Sequence, residues 1–510
     1  MLNFLLYCKG WRRNLIAFAF GVCATFTLAP FFLFPLVIPA YGGLFLLLQW
    51  APTERRAFFD GWWWGWGFYI SGLYWFCIAL LTEPEKFAWL IPFALFGLTA
   101  VIALYSAFAS RIFARLRVGG VCGALLFASV WSLVEFARGH FFTGFPWNLG
   151  GYAIGFSDYA MQLASVFGVY GLTWLVVLLG VLPVVLLEEG KHAKFWPILI
   201  YLLFFTGCGW GAWRLDNAGS GSYVEDVKLR LVQANIAQHH KWNPDSQMAG
   251  LKKHVELTHS PGLEDVTHVV WPETAVPYVI RENTALTRML GGSLPPGKFL
   301  ITGGLRAKGE RTADWSILNS ITMLDHNGAI IGKYDKHKLV PFGEFLPLRW
   351  LIPDFLETPV GMKDFEAGAG PQTVSWQGLP AISPLICYEV LFPELIIGDK
   401  RPKLLLNLTN DAWFGISSGP YQHYEMARMR AVEQGIPLVR VANTGVTAMI
   451  DAHGRVLSSL NLGMEGILDV NVPLTARKPT LYSKYRDFPF FAFLLASFLL
   501  IIWQRKRQKN

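Results

Sequence analysis

The chain has 510 residues, of which 53% are hydrophobic and only 16% are charged, with a formal net charge of +8. Because soluble domains carry about 25% charged residues, this composition excludes a wholly soluble protein. The basic residues mostly flank apolar runs, a pattern of membrane topology and not of a nucleic-acid surface, so no nucleic-acid partner is expected. The six cysteines show no metal-ligand spacing. We therefore expect no metal site, no cofactor and no disulfide scaffold.

Apolar runs dominate residues 1–215, which we interpret as a seven-span transmembrane region. A spanning helix needs about 20 mainly apolar residues. An eighth predicted span near the C-terminus precedes a basic cytoplasmic tail, 504–510. The first run lacks an evident cleavage site and is read as a retained span. The eight runs are 14–30, 31–50, 58–81, 88–110, 119–137, 161–187, 195–213 and 488–503.

The distribution of Lys and Arg predicts the orientation of these spans. Basic residues are frequent on the side of both termini, whereas the short loops of the other side carry only Lys86 and Arg138. Short cytoplasmic loops are the ones enriched in Lys and Arg. We therefore expect both termini in the cytoplasm and the domain 220–475, between the seventh and eighth spans, outside.

The region 220–475 has ordinary globular composition and alternates β-rich and helical patterns. Strands interleaved with helices predict an α/β domain, and runs that are apolar on both faces predict a covered sheet. Helices are expected at 244–260 and 420–435. The expected strands are 227–236, 267–271, 299–302, 317–324, 380–387, 403–408, 437–442 and 446–450.

Three polar groups follow β-rich runs of this domain. They are Glu273 in THVVWPETAVP, the basic stretch GKYDKHKLVPFGEF at 332–345, and Cys387 in SPLICYEVLFPE. A Glu can remove a thiol proton, a Lys can hold an oxyanion, and the backbone N–H of Tyr388 can be a second donor. Taken singly, each residue also fits a structural role: a turn carboxylate, a solvated lysine, a buried thiol.

Taken together, the ordered segments WPE, YDKHKLVPFGE, CYE and NLTNDAWFG resemble the nitrilase superfamily of carbon–nitrogen hydrolases over about 227–472. The resemblance implies an αββα sandwich with Glu273 as general base, Lys336 as oxyanion stabiliser and Cys387 as nucleophile. Glu344 matches the second glutamate of that superfamily, which supports the lysine and the base.

Over its whole length the chain resembles the membrane-bound N-acyltransferases of that superfamily, which lie in the bacterial inner membrane. Tyr388 and Glu389 after the nucleophile match these enzymes, as does Trp242 in VQANIAQHHKW. The resemblance implies an acyl donor that is a phospholipid, preferably phosphatidylethanolamine at its sn-1 chain. The implied acceptor is the α-amino group of the diacylglyceryl-cysteine of an apolipoprotein, reached through a thioester on Cys387. The catalytic domain is then periplasmic.

Other functions stay open at this point. A membrane-anchored amidase or nitrilase would use the same three residues with a different acceptor. A transporter would show ionisable residues or broken helices at mid-membrane, which the sequence lacks as a pattern. A chaperone for lipoproteins would need no chemistry at Cys387.

The stretch 345–362, FLPLRWLIPDFLETPVGM, is long for a loop and is interrupted by prolines. Long loops in compact domains are often binding loops or lids. We predict that it leans on the outer leaflet and gates lipid entry, with packing on the core of its own domain as the alternative.

Overall fold

The computed structural model describes residues 8–187, 191–219, 222–241, 244–309, 315–351, 364–476 and 478–509. Trp242 and most of the predicted lid, 352–363, lie outside the described residues. The chain forms two compact units. One comprises Met1–Cys77, Trp89–Ala218 and Pro479–Asn510, and the other comprises Ile78–Ala88 and Gly219–Lys478.

The chain before the first strand is helical. Shorter 3₁₀ and π segments are Phe34–Leu36, Ile38–Gly42, Ala88–Leu90, Phe93–Leu98 and Gly150–Phe156. The α-helices are α1 (Gly10–Phe26), α2 (Gly43–Gln49), α3 (Glu54–Leu73), α4 (Phe76–Leu80), α5 (Pro84–Phe87), α6 (Thr99–Leu116), α7 (Gly120–His140), α8 (Asp158–Met161), α9 (Ala164–Val185) and α10 (Lys191–Asp216).

Each predicted span overlaps a helical segment. Among the described residues, four helical stretches are long and apolar enough to cross a membrane: Pro84–Leu116, Gly120–His140, Ala164–Val185 and Lys194–Asp216. Two shorter apolar stretches, Phe34–Gln49 and Phe488–Trp503, coincide with the second and eighth predicted spans. Several apolar helices are thus present, and the number eight stays a prediction.

Two carboxylates that the sequence places near span ends are buried and paired. Asp60 on α3 accepts from Arg13 at 2.7 Å and from Arg56 at 2.5 Å. Glu135 on α7 forms an ion pair of 2.5 Å with Arg138 one turn later. Pairing of this kind satisfies charges within apolar surroundings and gives no support to a transporter.

The second unit contains two β-sheets. Their strands are β1 (Tyr223–Gln233), β2 (His268–Val270), β3 (Val276–Ile280), β4 (Phe299–Lys308), β5 (Ser316–Asp325), β6 (Ile330–Asp335), β7 (Ile382–Ile386), β8 (Leu404–Thr409), β9 (Leu438–Ala442), β10 (Thr447–Ile450), β11 (Val456–Leu460) and β12 (Gly466–Pro473). The first sheet has the strand order β12-β1-β2-β4-β5-β6, with β3 paired to β4. The second sheet has the order β11-β10-β9-β8-β7.

The two sheets pack face to face. One apolar cluster joins Leu231 and Ile321 of the first sheet to Leu406 and Val441 of the second, and Cys387 belongs to it. The pattern predicts the buried strands well because their side chains are apolar on both faces. It misses β3, β6, β11 and β12, whose residues are partly exposed or interrupted by polar side chains.

Helices cover the outer faces of the sandwich. They are α11 (Gln238–Lys241), α12 (Pro244–Thr258), α13 (Ala285–Gly292) and α14 (Ser418–Gln434). Leu251 of α12 and Leu290 of α13 pack with Val269 and Leu300 of the first sheet, and α14 packs on β9 of the second. The αββα arrangement is therefore present. After β12 the chain ends with α15 (Leu481–Tyr485) and α16 (Phe488–Lys509).

Candidate active site

Glu273 lies in the turn that follows β2. The preceding Trp271 is fully buried and its indole N–H donates to the Thr258 hydroxyl at 2.9 Å, which holds the end of the strand. Gly303 on β4 lets this turn approach closely, because a Cβ there would come within 2.5 Å of the Glu273 Cα. Local packing therefore holds the backbone of the predicted base against the sheet.

Lys336 directly follows β6 and meets two carboxylates. Its Nζ donates to Glu344 Oε1 at 2.9 Å and lies 3.6 Å from Glu273 Oε1. The side chain of Asn319, on β5, donates from Nδ2 to both of those oxygens at 2.8 Å. The backbone N–H of Val340 donates to the other Glu344 oxygen at 2.9 Å. One cation and one amide thus hold the two glutamates side by side.

The charge on Lys336 is secured by these carboxylates. Burial by itself would lower the pKa of this lysine, but Glu344 and then Glu273 outweigh it, so the pKa lies well above its usual value. Two buried carboxylates would repel each other without such a cation. Lys336 therefore keeps a permanent positive charge beside Glu273.

Cys387 begins a 3₁₀ turn, Cys387–Leu391, directly after β7. Its φ is +49°, in the left-handed region that non-glycine residues seldom adopt. Such strain persists only where the surroundings hold it, and it is common at functional sites. A sharp turn at a strand end presents the side chain from a rigid position.

The surroundings of the Cys387 thiol favour its protonated form. Burial, followed by the charge of Glu273, raises its pKa well above the usual value, and the nearby Lys336 lowers it only in part. Burial outweighs the positive charge of Lys336 because the thiol is almost fully enclosed by protein. Removal of the thiol proton therefore needs a base within the site, and Glu273 is the carboxylate whose charge acts most strongly on the thiol.

Glu389 joins the turn at Cys387 to the segment that carries Lys336. Its carboxylate is fully buried and accepts from Ile386 N at 2.7 Å, His337 N at 2.8 Å and the Tyr334 hydroxyl at 3.0 Å. Since β6 and β7 belong to different sheets, these bonds cross the sandwich. Glu389 is thus a structural clamp between the predicted nucleophile and the predicted oxyanion stabiliser.

The other predicted residue of this turn, Tyr388, is buried, and its ring packs edge-to-face on Phe392 with 5.1 Å between centroids. The described geometry thus unites Glu273, Lys336 and Glu344 directly and couples Cys387 to them electrostatically. Their catalytic roles stay predictions, as does that of Trp242.

Comparison with known proteins finds one family match for the apolar helical region and another for the α/β domain. Residues 228–480 match the carbon-nitrogen hydrolase family, and residues 20–182 match the apolipoprotein N-acyltransferase N-terminal domain. A protein of Rhodopseudomonas palustris named apolipoprotein N-acyltransferase is 37% identical, with 99% of this chain and 97% of the relative covered. A namesake from Brucella melitensis is 38% identical, with 92% and 91% covered.

The chain belongs to the apolipoprotein N-acyltransferase family. It is therefore an acyltransferase with a nitrilase-type domain. Among solved structures, the chain is similar to an amidase from Nesterenkonia, at 19% identity and a TM-score of 0.37, covering 54% of this chain and 99% of the amidase. A nitrilase-superfamily protein of Saccharomyces cerevisiae gives 18% identity and 0.37, with 52% and 97% covered.

A second buried network in this acyltransferase lies beneath the nucleophile. Asp411 pairs with Arg440 at 2.7 Å and with His423 Nδ1 at 2.8 Å, while His423 Nε2 lies 3.2 Å from the Cys387 carbonyl oxygen. Burial would raise the pKa of Asp411, but Arg440 and His423 outweigh it and lower the pKa to about 2. The ionised Asp411 thus holds the imidazole against the strained backbone of Cys387.

Sequence reasoning did not single out Asn319, the pair His423 and Arg440, or Lys241. Arg440 is a charged residue within an otherwise apolar strand, a signal that could have found it, whereas Asn319 stands in a strand with several other polar residues. Lys241 is a further buried lysine, on α11, and its Nζ donates to the Glu273 carbonyl oxygen at 2.9 Å. It carries no signal in the sequence, because lysines usually lie on the surface.

Proposed function

We propose that the chain transfers a fatty acyl group in two steps through a thioester on Cys387. The donor is a phospholipid, preferably the sn-1 chain of phosphatidylethanolamine, and the acceptor is the α-amino group of the N-terminal diacylglyceryl-cysteine of an apolipoprotein. The observation that carries this proposal is a buried thiol coupled electrostatically to the Glu273–Lys336–Glu344 cluster, in a chain of this family with several apolar helices.

In the first step Glu273 takes the proton of the Cys387 thiol, and the sulfur attacks the ester carbonyl carbon. The resulting oxyanion is stabilised by the Lys336 ammonium and the backbone N–H of Tyr388. The C–O bond to the glycerol then breaks. Glu273 returns its proton to the leaving oxygen, so a lysophospholipid and an acylated Cys387 remain.

In the second step the amine nitrogen of the acceptor attacks the thioester carbonyl. Lys336 again stabilises the oxyanion, the C–S bond breaks, and Glu273 passes a proton from nitrogen to sulfur. The candidate residues are almost fully enclosed: Lys336 is 1% exposed, Glu273 6% and Cys387 8%. Enclosure protects a thioester from water, which favours transfer over hydrolysis.

The membrane arrangement is part of the same proposal. Spans are placed at the eight predicted runs, with residues 1–215 as the seven-span region and 488–503 as the last span. Both termini and the tail 504–510 face the cytoplasm. The catalytic domain 220–475 is periplasmic, on the side where lipoproteins present their modified N-termini.

Intact-mass analysis of the purified protein in phosphatidylethanolamine nanodiscs tests the two steps. We expect one fatty-acyl adduct on the wild type without any peptide, and its disappearance when a diacylglyceryl-cysteine peptide is added. Cys387→Ser should form no adduct at a useful rate, because a hydroxyl is far less acidic than a thiol. Turnover of small amides without any acyl adduct would instead support a membrane-anchored hydrolase.

A further inference from the structure

In the second half-reaction the acceptor nitrogen must lose two protons, and Glu273 accounts for only one of them. An α-amino group has an ordinary pKa of about 7.7–8.0, so near pH 7 the acceptor arrives mainly as an ammonium ion. The nitrogen must lose one proton before it can attack and a second proton when the amide forms. Glu273 moves one of them to the Cys387 sulfur. The other needs a separate acceptor.

Lys241 is placed to be that acceptor. It is 6% exposed, and its Nζ is held at 2.9 Å from the backbone carbonyl oxygen of Glu273. In the described part of the chain, no carboxylate forms an ion pair with it, in contrast to Lys336, which has Glu344 at 2.9 Å. The two lysines of the site are therefore electrostatically different: one is kept charged by carboxylates and the other is not.

We propose that Lys241 is a proton acceptor specific to the aminolysis step, which takes the extra proton of the acceptor ammonium and releases it to solvent. This inference rests on the proposed function. The balance is then complete: ammonium and thioester give amide, thiol and one proton. The N–C bond forms, the C–S bond breaks, Glu273 carries one proton from nitrogen to sulfur, and Lys241 carries the other away.

The groups around Lys241 support such a role. Burial lowers its pKa to about 7, while the charges of Glu273 and Cys387 raise it in part. A base with a pKa near the working pH is the most effective.

A cavity of about 10 Å³, room for about one water, is lined by Lys241, His240 and His254 among others. Burial also lowers the pKa of His254, to about 4, so this neighbour stays neutral and does not compete for the proton.

The test measures both half-reactions in the full-length protein, in phosphatidylethanolamine nanodiscs, for Lys241→Met, Lys241→Arg and the matched control Lys252→Met. Lys252 is exposed on α12. The thioester is first formed from the lipid, a peptide starting with diacylglyceryl-cysteine is added, and loss of the thioester is followed by quenched mass spectrometry from pH 6 to 9.

We expect aminolysis near pH 7 to fall roughly 5- to 10-fold in both Lys241 variants, because only about a tenth of an amine with a pKa of about 7.7–8.0 is unprotonated there, and to be normal in Lys252→Met. In the wild type the rate should rise with pH through about 7, as Lys241 loses its proton. In the Lys241 variants it should rise only through about 8, where the free amine itself becomes available.

Two results would overturn the inference. Normal aminolysis in Lys241→Arg would show that a fixed cation suffices, and an equal loss of thioester formation in Lys241→Met would show that the lysine merely supports Glu273. Absence of the thioester in the wild type is a different outcome, because it refutes the proposed two-step transfer itself.

Discussion

At the scale of single residues, Lys336 combines two electrostatic tasks. It pairs with both Glu273 and Glu344, and its positive charge also acts on the Cys387 thiol. Lys333, three residues earlier on β6, has a similar sequence context but an exposed side chain. The register of β6 and the turn after it leave Lys333 exposed and bring Lys336 into the site, as the sequence pattern predicts.

Lys336→Ala should slow thioester formation from phospholipid by about 10²–10³-fold, since removal of one oxyanion donor costs about 2.7–4 kcal/mol. Lys333→Ala is the matched control and should acylate normally. Single-turnover mass spectrometry of the Cys387 adduct gives both rates. Acylation at the normal rate in Lys336→Ala would contradict the assignment.

At the scale of secondary-structure elements, Glu389 ties the end of β6 to the start of the turn after β7. Its carboxylate accepts N–H groups from both segments, so an amide in its place would turn one acceptor atom into a donor. The strands themselves would remain paired, because their ladders do not involve this side chain.

We expect Glu389→Gln to acylate roughly 10²-fold more slowly while folding normally, because a misplacement of about 1 Å costs about that much. Glu465, an exposed partner of Lys253, offers the control Glu465→Gln, which should be silent. The readouts are single-turnover acylation and the melting temperature. If Glu389→Gln unfolds the domain, or acylates like the wild type, the clamp is not what aligns the site.

The predicted lid, residues 345–362, is described by the structure only over its first part, 345–351. At its described beginning, Leu346 is buried, whereas Leu348 and Trp350 are exposed by 62% and 79%. Exposed apolar side chains of this kind mark surfaces that meet lipid or a partner. The first part of the stretch therefore combines an anchor in the domain with apolar residues that face away from it.

Substitution of the lid tests whether it gates lipid entry. Leu351→Asp and Phe355→Asp should impair lipid turnover but leave the fold and the alkylation of Cys387 by a small reagent intact. A spectroscopic probe at Trp350 in nanodiscs should report an apolar, lipid-accessible setting. Unfolding in both variants, or a probe in contact with protein alone, would favour packing on the domain's own core.

At the scale of the whole molecule, the proposed orientation rests on the asymmetry of Lys and Arg in the short loops. Arg477, Lys478, Lys484 and Arg486 run against this asymmetry, just before the last span. They adjoin the large domain, where the charge rule is weak.

Labelling of spheroplasts with a membrane-impermeant maleimide tests the orientation. Ser459→Cys, on the exposed side of β11, should react from outside. Asn510→Cys in the basic tail should react only after the membrane is permeabilised. The reverse pattern would place the catalytic domain in the cytoplasm.

The sequence by itself determined the division into an apolar helical region and an α/β domain, because hydrophobic runs and their periods are local properties of the chain. It also determined Glu273, Lys336, Glu344 and Cys387 as candidates, since their flanking residues repeat a family pattern. It did not reveal β6 as a strand, because its polar and glycine residues hide the period.

Only the tertiary structure decided how those candidates act on one another. Asn319 lies 46 residues from Glu273 in the chain and 25 from Glu344, and it meets both because β5 pairs between β4 and β6. The raised pKa of Cys387 and the lowered pKa of Lys241 likewise depend on burial, which arises only when the sheets and helices close over the site. Contacts and burial of this kind come from segments far apart in sequence, which no local pattern records.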